Sequence, residues 1–203
     1  MRKILETILS SALTISLLTS PVYSQSHKSK NGNYSLPINC EKFENEPFKL
    51  GGEEEYFNVI KKNTKEGKWT VLEYDPKGLD TLYPTCKGKC GVDSYAVYDS
   101  DKIPKNIVIE WKPSDLTLKE EFEEVKNKIK IRGNKITENS ETKKNLGGID
   151  TFSLNYKKNY DSQDCNYFIF NHNNLIYQIN YCATPYTKNR NSDLEIIKNI
   201  KFE

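Results

Sequence analysis

The stretch that decides the fold is Cys165-Asn166-Tyr167-Phe168-Ile169-Phe170-Asn171-His172-Asn173-Asn174-Leu175-Ile176-Tyr177-Gln178-Ile179-Asn180-Tyr181-Cys182. Two runs rich in aromatic and β-branched residues flank Asn173-Asn174. Asparagine tolerates positive φ, so the pair suits a type I′ turn and the two runs read as a hairpin. A two-residue turn pairs His172 with Leu175, and that pairing fixes the register of everything beyond it. Phe168 and Phe170 then share a face with Tyr177 and Ile179, which makes it the core face. Cys165 falls opposite Cys182 on the other face. Directly opposed residues of an antiparallel pair have Cβ atoms at about the separation a disulfide needs, so a Cys165–Cys182 bridge is expected.

Moving outward, Asp161–Asp164 is a loop and Thr151–Tyr156 a strand. Leu146-Gly147-Gly148-Ile149-Asp150 suits a tight turn or bulge, because glycine adopts backbone angles that other residues avoid. Lys135–Thr142 reads as a polar, edge-like strand. Before it lies the clearest helix. Thr117-Leu118-Lys119-Glu120 fits a capping box, and Leu118, Phe122, Val125 and Ile129 form one apolar stripe. The acidic start (Glu120, Glu121, Glu123, Glu124) and basic end (Lys126, Lys128, Lys130) suit the helix dipole, with Glu124 and Lys128 at pairing distance. The acidic run therefore reads as a solvated helix face.

Further upstream, Trp69–Tyr74 reads as a strand closed by an Asp75–Gly78 turn. Leu79–Tyr83 and Ser94–Tyr98 are further strand candidates. Asn106–Lys112 alternates Ile107, Ile109 and Trp111 against Val108 and Glu110, and Pro104 and Pro113 bracket it. Residues 53–62 give a mixed signal. After the hairpin, Ser192–Ile200 reads as a helix with Leu194, Ile197 and Ile200 inward, or Ile200–Phe202 continues as a last short strand. Runs of strands with few helices predict an α+β fold, a mainly antiparallel sheet with helices packed on it.

The N-terminus carries the parts of an export signal. Arg2 and Lys3 precede an apolar run over residues 8–18, and Val22-Tyr23-Ser24 places small residues before Gln25. The expected organisation is a signal peptide over 1–24, a mobile polar leader over 25–46 and a single α+β domain over 47–203. The apolar run is shorter than the roughly 20 residues of a spanning helix, and no transmembrane segment is expected after cleavage. Removing 1–24 takes away Arg2, Lys3 and Glu6, which leaves 28 basic against 27 acidic residues. So small a net charge gives no long-range attraction for nucleic acid. Asn33-Tyr34-Ser35 is a glycosylation acceptor pattern, with Asn33 modified only in a host that glycosylates exported proteins.

Over about residues 69–203 the chain resembles the PsbP-like family. The matching pieces are the Leu118–Ile129 helix, Leu146-Gly147-Gly148 leading into Thr151–Tyr156, the hairpin ending at Tyr181, and Leu194–Phe202. That resemblance implies an α/β/α sandwich shared with bacterial envelope proteins. It also implies a non-enzymatic module that docks on a larger assembly, which lies in the lumen if the host is photosynthetic.

All five cysteines lie beyond residue 24, which suits an oxidising compartment. Cys86 and Cys90 close on one another, or one of them reaches Cys40. The odd count leaves one thiol unpaired, with Cys40 the candidate. A structural zinc site normally shows two tight ligand pairs, and here Cys165 and Cys182 are too far apart in sequence to form the second, so no metal is expected. His27 lies in the leader and His172 beside a turn. A Cys90–His172 catalytic pair rests on no motif, and the serine-hydrolase, zinc-protease and phosphate-loop motifs do not occur. The reading is an exported non-catalytic binding or assembly module, secreted or periplasmic, without a cofactor. Its partner is a protein or a membrane-associated complex, not nucleic acid. The alternative is a small exported hydrolase using carboxylates or a cysteine.

Overall fold

The Asn173-Asn174 turn forms as its chemistry dictates, with φ of 51° and 60°. The computed structural model describes residues 26–29, 31–38, 69–73, 86–99, 102–146, 148–160, 162–185, 187 and 190–203. The expected signal peptide, Cys40, residues 53–62, the Asp75–Gly78 turn and the Leu79–Tyr83 strand lie outside the described residues. The elements are β1 (His27–Lys28), β2 (Tyr34–Leu36), β3 (Trp69–Glu73), β4 (Gly91–Asp99), β5 (Lys102–Lys112), α1 (Leu118–Ile131), β6 (Lys135–Ile136), β7 (Thr142–Leu146), β8 (Ile149–Lys157), β9 (Asp164–His172), β10 (Leu175–Ala183), α2 (Arg190–Lys198) and β11 (Lys201–Phe202).

A large sheet runs β3-β4-β5-β10-β9-β8-β6, with β7 also paired to β8, and every pairing in it is antiparallel. A small antiparallel sheet runs β1-β2-β11. In the hairpin His172 pairs with Leu175 and Cys165 with Cys182, the register set by the turn. The β7–β8 hairpin closes between Leu146 and Ile149 with Gly148 at φ 89°. Helix α1 begins at Thr117 with both halves of the capping box formed.

The α+β class, with its α/β/α sandwich, is corrected by this architecture. The fold is β-rich, with two helices among the described residues. The physical reason lies in how the sheet faces are closed. On one face α1 lays Phe122, Val125 and Ile129 over Leu154, Tyr156, Tyr167, Ile169 and Ile176. On the other, α2 is only nine residues long. Strand β2 shares the work there: Tyr34, Leu36 and the following Ile38 pack with Ile197 and Ile200 against Ile107, Ile109, Phe170, Tyr177 and Ile179.

Residues 26–38 fall within the expected mobile leader, yet three of their described positions, Tyr34, Leu36 and Ile38, join the core, with Tyr34 and Leu36 fully buried. The polar edge strand expected over Lys135–Thr142 divides into β6 and β7, which pair with separate parts of β8. Pro104 does not end its strand. Strand β5 runs on to Lys102 where the ladder with β4 shifts between Val97 and Asp99 and pairing with β10 has already stopped at Lys105, so no partner needs the missing N–H. Of the strand read over Trp69–Tyr74, Trp69–Glu73 forms and Tyr74 lies outside the described residues; the alternation of Ile107, Ile109 and Trp111 puts all three in the core.

Candidate functional site

Beneath β1 and β2 the core face of β4 carries a polar side chain where its neighbours are apolar. Asp93 pairs with Ile109, and Tyr95, on the same face, pairs with Ile107. Asp93 is fully buried. A buried carboxylate needs partners, and two of them descend from the N-terminal strands. Ser29 Oγ donates to Asp93 Oδ2 at 2.6 Å, and the Tyr34 hydroxyl donates to the same oxygen at 2.5 Å. Tyr34 has one hydroxyl hydrogen, so at 2.8 Å the Tyr95 hydroxyl donates to Tyr34.

Local backbone chemistry aims these groups. The Ser29 N–H donates to the Tyr34 carbonyl at 2.9 Å, and the Gly32 N–H donates to Ser29 Oγ at 2.8 Å. The turn is so tight that a Cβ at Gly32 would lie 2.3 Å from Tyr34 Cε1. The Tyr177 hydroxyl, from the hairpin, donates to the Gly32 carbonyl at 2.9 Å.

A second carboxylate stands beside the first, because Glu73 of β3 is the cross-strand partner of Asp93. His27 Nε2 lies 3.1 Å from Glu73 Oε1, with both side chains nearly buried. Burial pushes the Asp93 carboxyl up to about 6, and the neighbouring Glu73 adds to the rise. The hydrogen bonds from Ser29 and Tyr34, and His27, pull the other way and do not cancel it. Burial likewise drives the Tyr34 hydroxyl well above its usual range, reinforced by Tyr95 and Asp93. The second oxygen, Asp93 Oδ1, is buried without a hydrogen-bond partner.

The burial that raises the Asp93 carboxyl also keeps it from solvent, beneath the Ser29 and Tyr34 side chains that bond to it. Among the described residues no group of three or more His, Cys, Asp or Glu is arranged to hold a metal ion.

A smaller polar junction ties α2 down. Lys105 Nζ donates to both Asp193 oxygens at 2.8 and 2.9 Å, and the Tyr181 hydroxyl donates to Asp193 at 3.0 Å.

The residues singled out from the sequence fall elsewhere. Cys165 and Cys182 form a disulfide on the α1 face, and Cys86 and Cys90 form another. Cys90 is thus a cystine half, not a thiolate partner for His172, and His172 Nε2 lies 3.3 Å from the Glu203 carbonyl. Cys40 lies outside the described residues. Asn33 is exposed at φ 50°. Glu121 leaves the solvated face to which it was assigned: it is buried, 2.8 Å from Lys112 Nζ, and it accepts from Ser114. Sequence reasoning missed His27, Ser29, Tyr34, Glu73 and Asp93. The signal in the sequence was the alternation Tyr34, Leu36, Ile38, which is a strand pattern.

Two disulfides fit an oxidising environment. Among the described residues no helix is long and apolar enough to cross a membrane. Neither a family model nor a curated protein matches the chain.

Proposed function

We propose that the chain is an exported binding or assembly module without catalysis of its own, acting in a secreted or periplasmic setting. One observation carries this reading. The titratable cluster under β1 and β2 is turned inward, with Asp93 fully buried, Ser29 and Tyr34 bonded to it, and Tyr95 bonded in turn to Tyr34. Such groups clamp one layer on another and leave the outer surface for recognition. Docking on a larger assembly is also what the PsbP-like resemblance implies.

A second reading, the small hydrolase, gains support from one feature: Glu73 and Asp93 are adjacent carboxylates and Asp93 titrates near 6. Asp93→Asn separates the two readings. Cross-linking of the exported protein in its own compartment should recover one partner in fixed ratio, equally well from wild type and from the variant. A hydrolytic activity that Asp93→Asn abolishes while the fold persists would overturn the proposal.

A further inference from the structure

The near-neutral total charge conceals a basic region. Residues 126–158 hold nine basic side chains (Lys126, Lys128, Lys130, Arg132, Lys135, Lys143, Lys144, Lys157, Lys158) against Glu138, Glu141 and Asp150. The whole chain carries a formal +2, so the remainder is acidic. Of the three acids, Glu141 is taken up by Lys126 at 2.9 Å, and Asp150 accepts from Asn145 at 3.5 Å.

Four of these charges stand at one edge of the large sheet, Lys143 and Lys144 on β7 and Lys135 and Lys157 on the paired ends of β6 and β8. Strand β7 pairs with β8 on its inner side and with no other strand among the described residues. Four of its five residues, Thr142 to Asn145, are exposed. Consecutive strand residues point to opposite faces. Lys143 accordingly lies over Phe152 at 5.6 Å on the α1 face, and Lys144 over Phe168 at 5.7 Å on the other. Further along, exposed Lys135 of β6 stands directly opposite exposed Lys157, a like-charge pair that is unfavourable on its own.

A flat anionic surface would meet the cations of one face only. An extended chain laid along β7 meets both, because its own side chains alternate between the faces as the lysines do. A second copy of this chain would bring lysine against lysine, the usual way an edge is guarded. An acidic strand would bring carboxylates against the same lysines.

We propose that the β7 edge binds an extended acidic peptide segment by strand addition, with Lys143 and Lys144 reading carboxylates on opposite faces. This deepens the binding-module reading and rests on it.

The test uses the full chain and three labelled peptides: a Glu-Val repeat, a Lys-Val repeat, and a Glu-Pro repeat, which carries the acid charge but cannot pair as a strand. Vesicles of phosphatidylcholine with phosphatidylglycerol are the fourth probe. The Glu-Val peptide should bind saturably, more weakly as salt rises, and the other three should not. Lys143→Glu with Lys144→Glu should weaken binding about tenfold, the sum expected for two exposed charges, while Lys119→Glu leaves it unchanged. Equal binding of the Glu-Pro peptide, binding to vesicles alone, or no effect of the double variant would overturn the assignment. If the double variant still cross-links the native partner in fixed ratio, the edge is wrong and the module reading survives; if neither protein recovers a partner, the module reading itself has failed.

Discussion

Two segments are fastened to the same sheet by different chemistry. The β9–β10 hairpin is held by long ladders on both sides, to β5 along Ile176–Ala183 and to β8 along Asp164–Ile169, by apolar burial on both faces and by the Cys165–Cys182 bridge. The β1–β2 strands, a strap laid over the sheet, form short ladders of two residues each. Their attachment comes from Tyr34 and Leu36 in the core and from hydrogen bonds onto a buried carboxylate. Apolar burial and a cystine are insensitive to pH over the neutral range. A buried carboxylate is not, so the two attachments should respond differently to pH, reduction and truncation.

The largest effect is expected at Tyr34, which belongs to both kinds of bonding at once. Tyr34→Ala removes a fully buried ring and leaves Asp93 with a single donor. It should cost about 4 kcal/mol in denaturant unfolding. A loss below about 1 kcal/mol would mean that the strap contributes little to the fold.

Next comes pH. The Asp93 carboxyl rises from 3.8 to about 6 on folding, so the folded state binds the proton more tightly than the unfolded state. Its contribution is most favourable below about 4 and declines as pH rises through 6. The difference between pH 4 and pH 8 is on the order of 3 kcal/mol. Asp93→Asn keeps an acceptor for Ser29 and Tyr34 without the charge. Urea titrations across that range should show this component flattened and the variant the more stable protein at pH 8. Parallel curves for the two proteins would show that Asp93 does not carry the effect.

How much could be read beforehand follows the same division. The hairpin was legible because Asn173-Asn174 fixes a register, and a register places every later side chain, including the two cysteines, on a known face. Helix α1 was legible because cap, stripe and charge gradient agree within fifteen consecutive residues. The strap was not. Tyr34, Leu36 and Ile38 alternate, but only three apolar positions stand in a run of Ser, Asn and Lys, shorter than the stretch over which periodicity is convincing. Their partners Asp93 and Phe202 lie far along the chain, and nothing local indicates that Ser29 meets Asp93. The mistaken α+β class has the same origin. Two helical patterns stood out, whereas the strands that share in closing the second face are two or three residues long.

The smallest of the three effects concerns the hairpin. Replacing Cys165 and Cys182 together by alanine opens a loop of separation 17. That should cost about 2 kcal/mol, less than the ~3 expected for such a loop, because the ladder already holds the ends together. The loss should be the same at pH 5 and pH 8, unlike that of the strap.

The most direct test reads both segments in one experiment. Amide hydrogen exchange at Tyr34, Ser35 and Leu36 is followed beside Ile169 and Ile179, in wild type and in Asp93→Ala. If the buried carboxylate is what clamps the strap, both segments are protected in wild type, and the variant loses protection at Tyr34–Leu36 while Ile169 and Ile179 keep theirs. Fast exchange of Tyr34–Leu36 in the wild type, or an equal loss at both segments in the variant, would contradict the account.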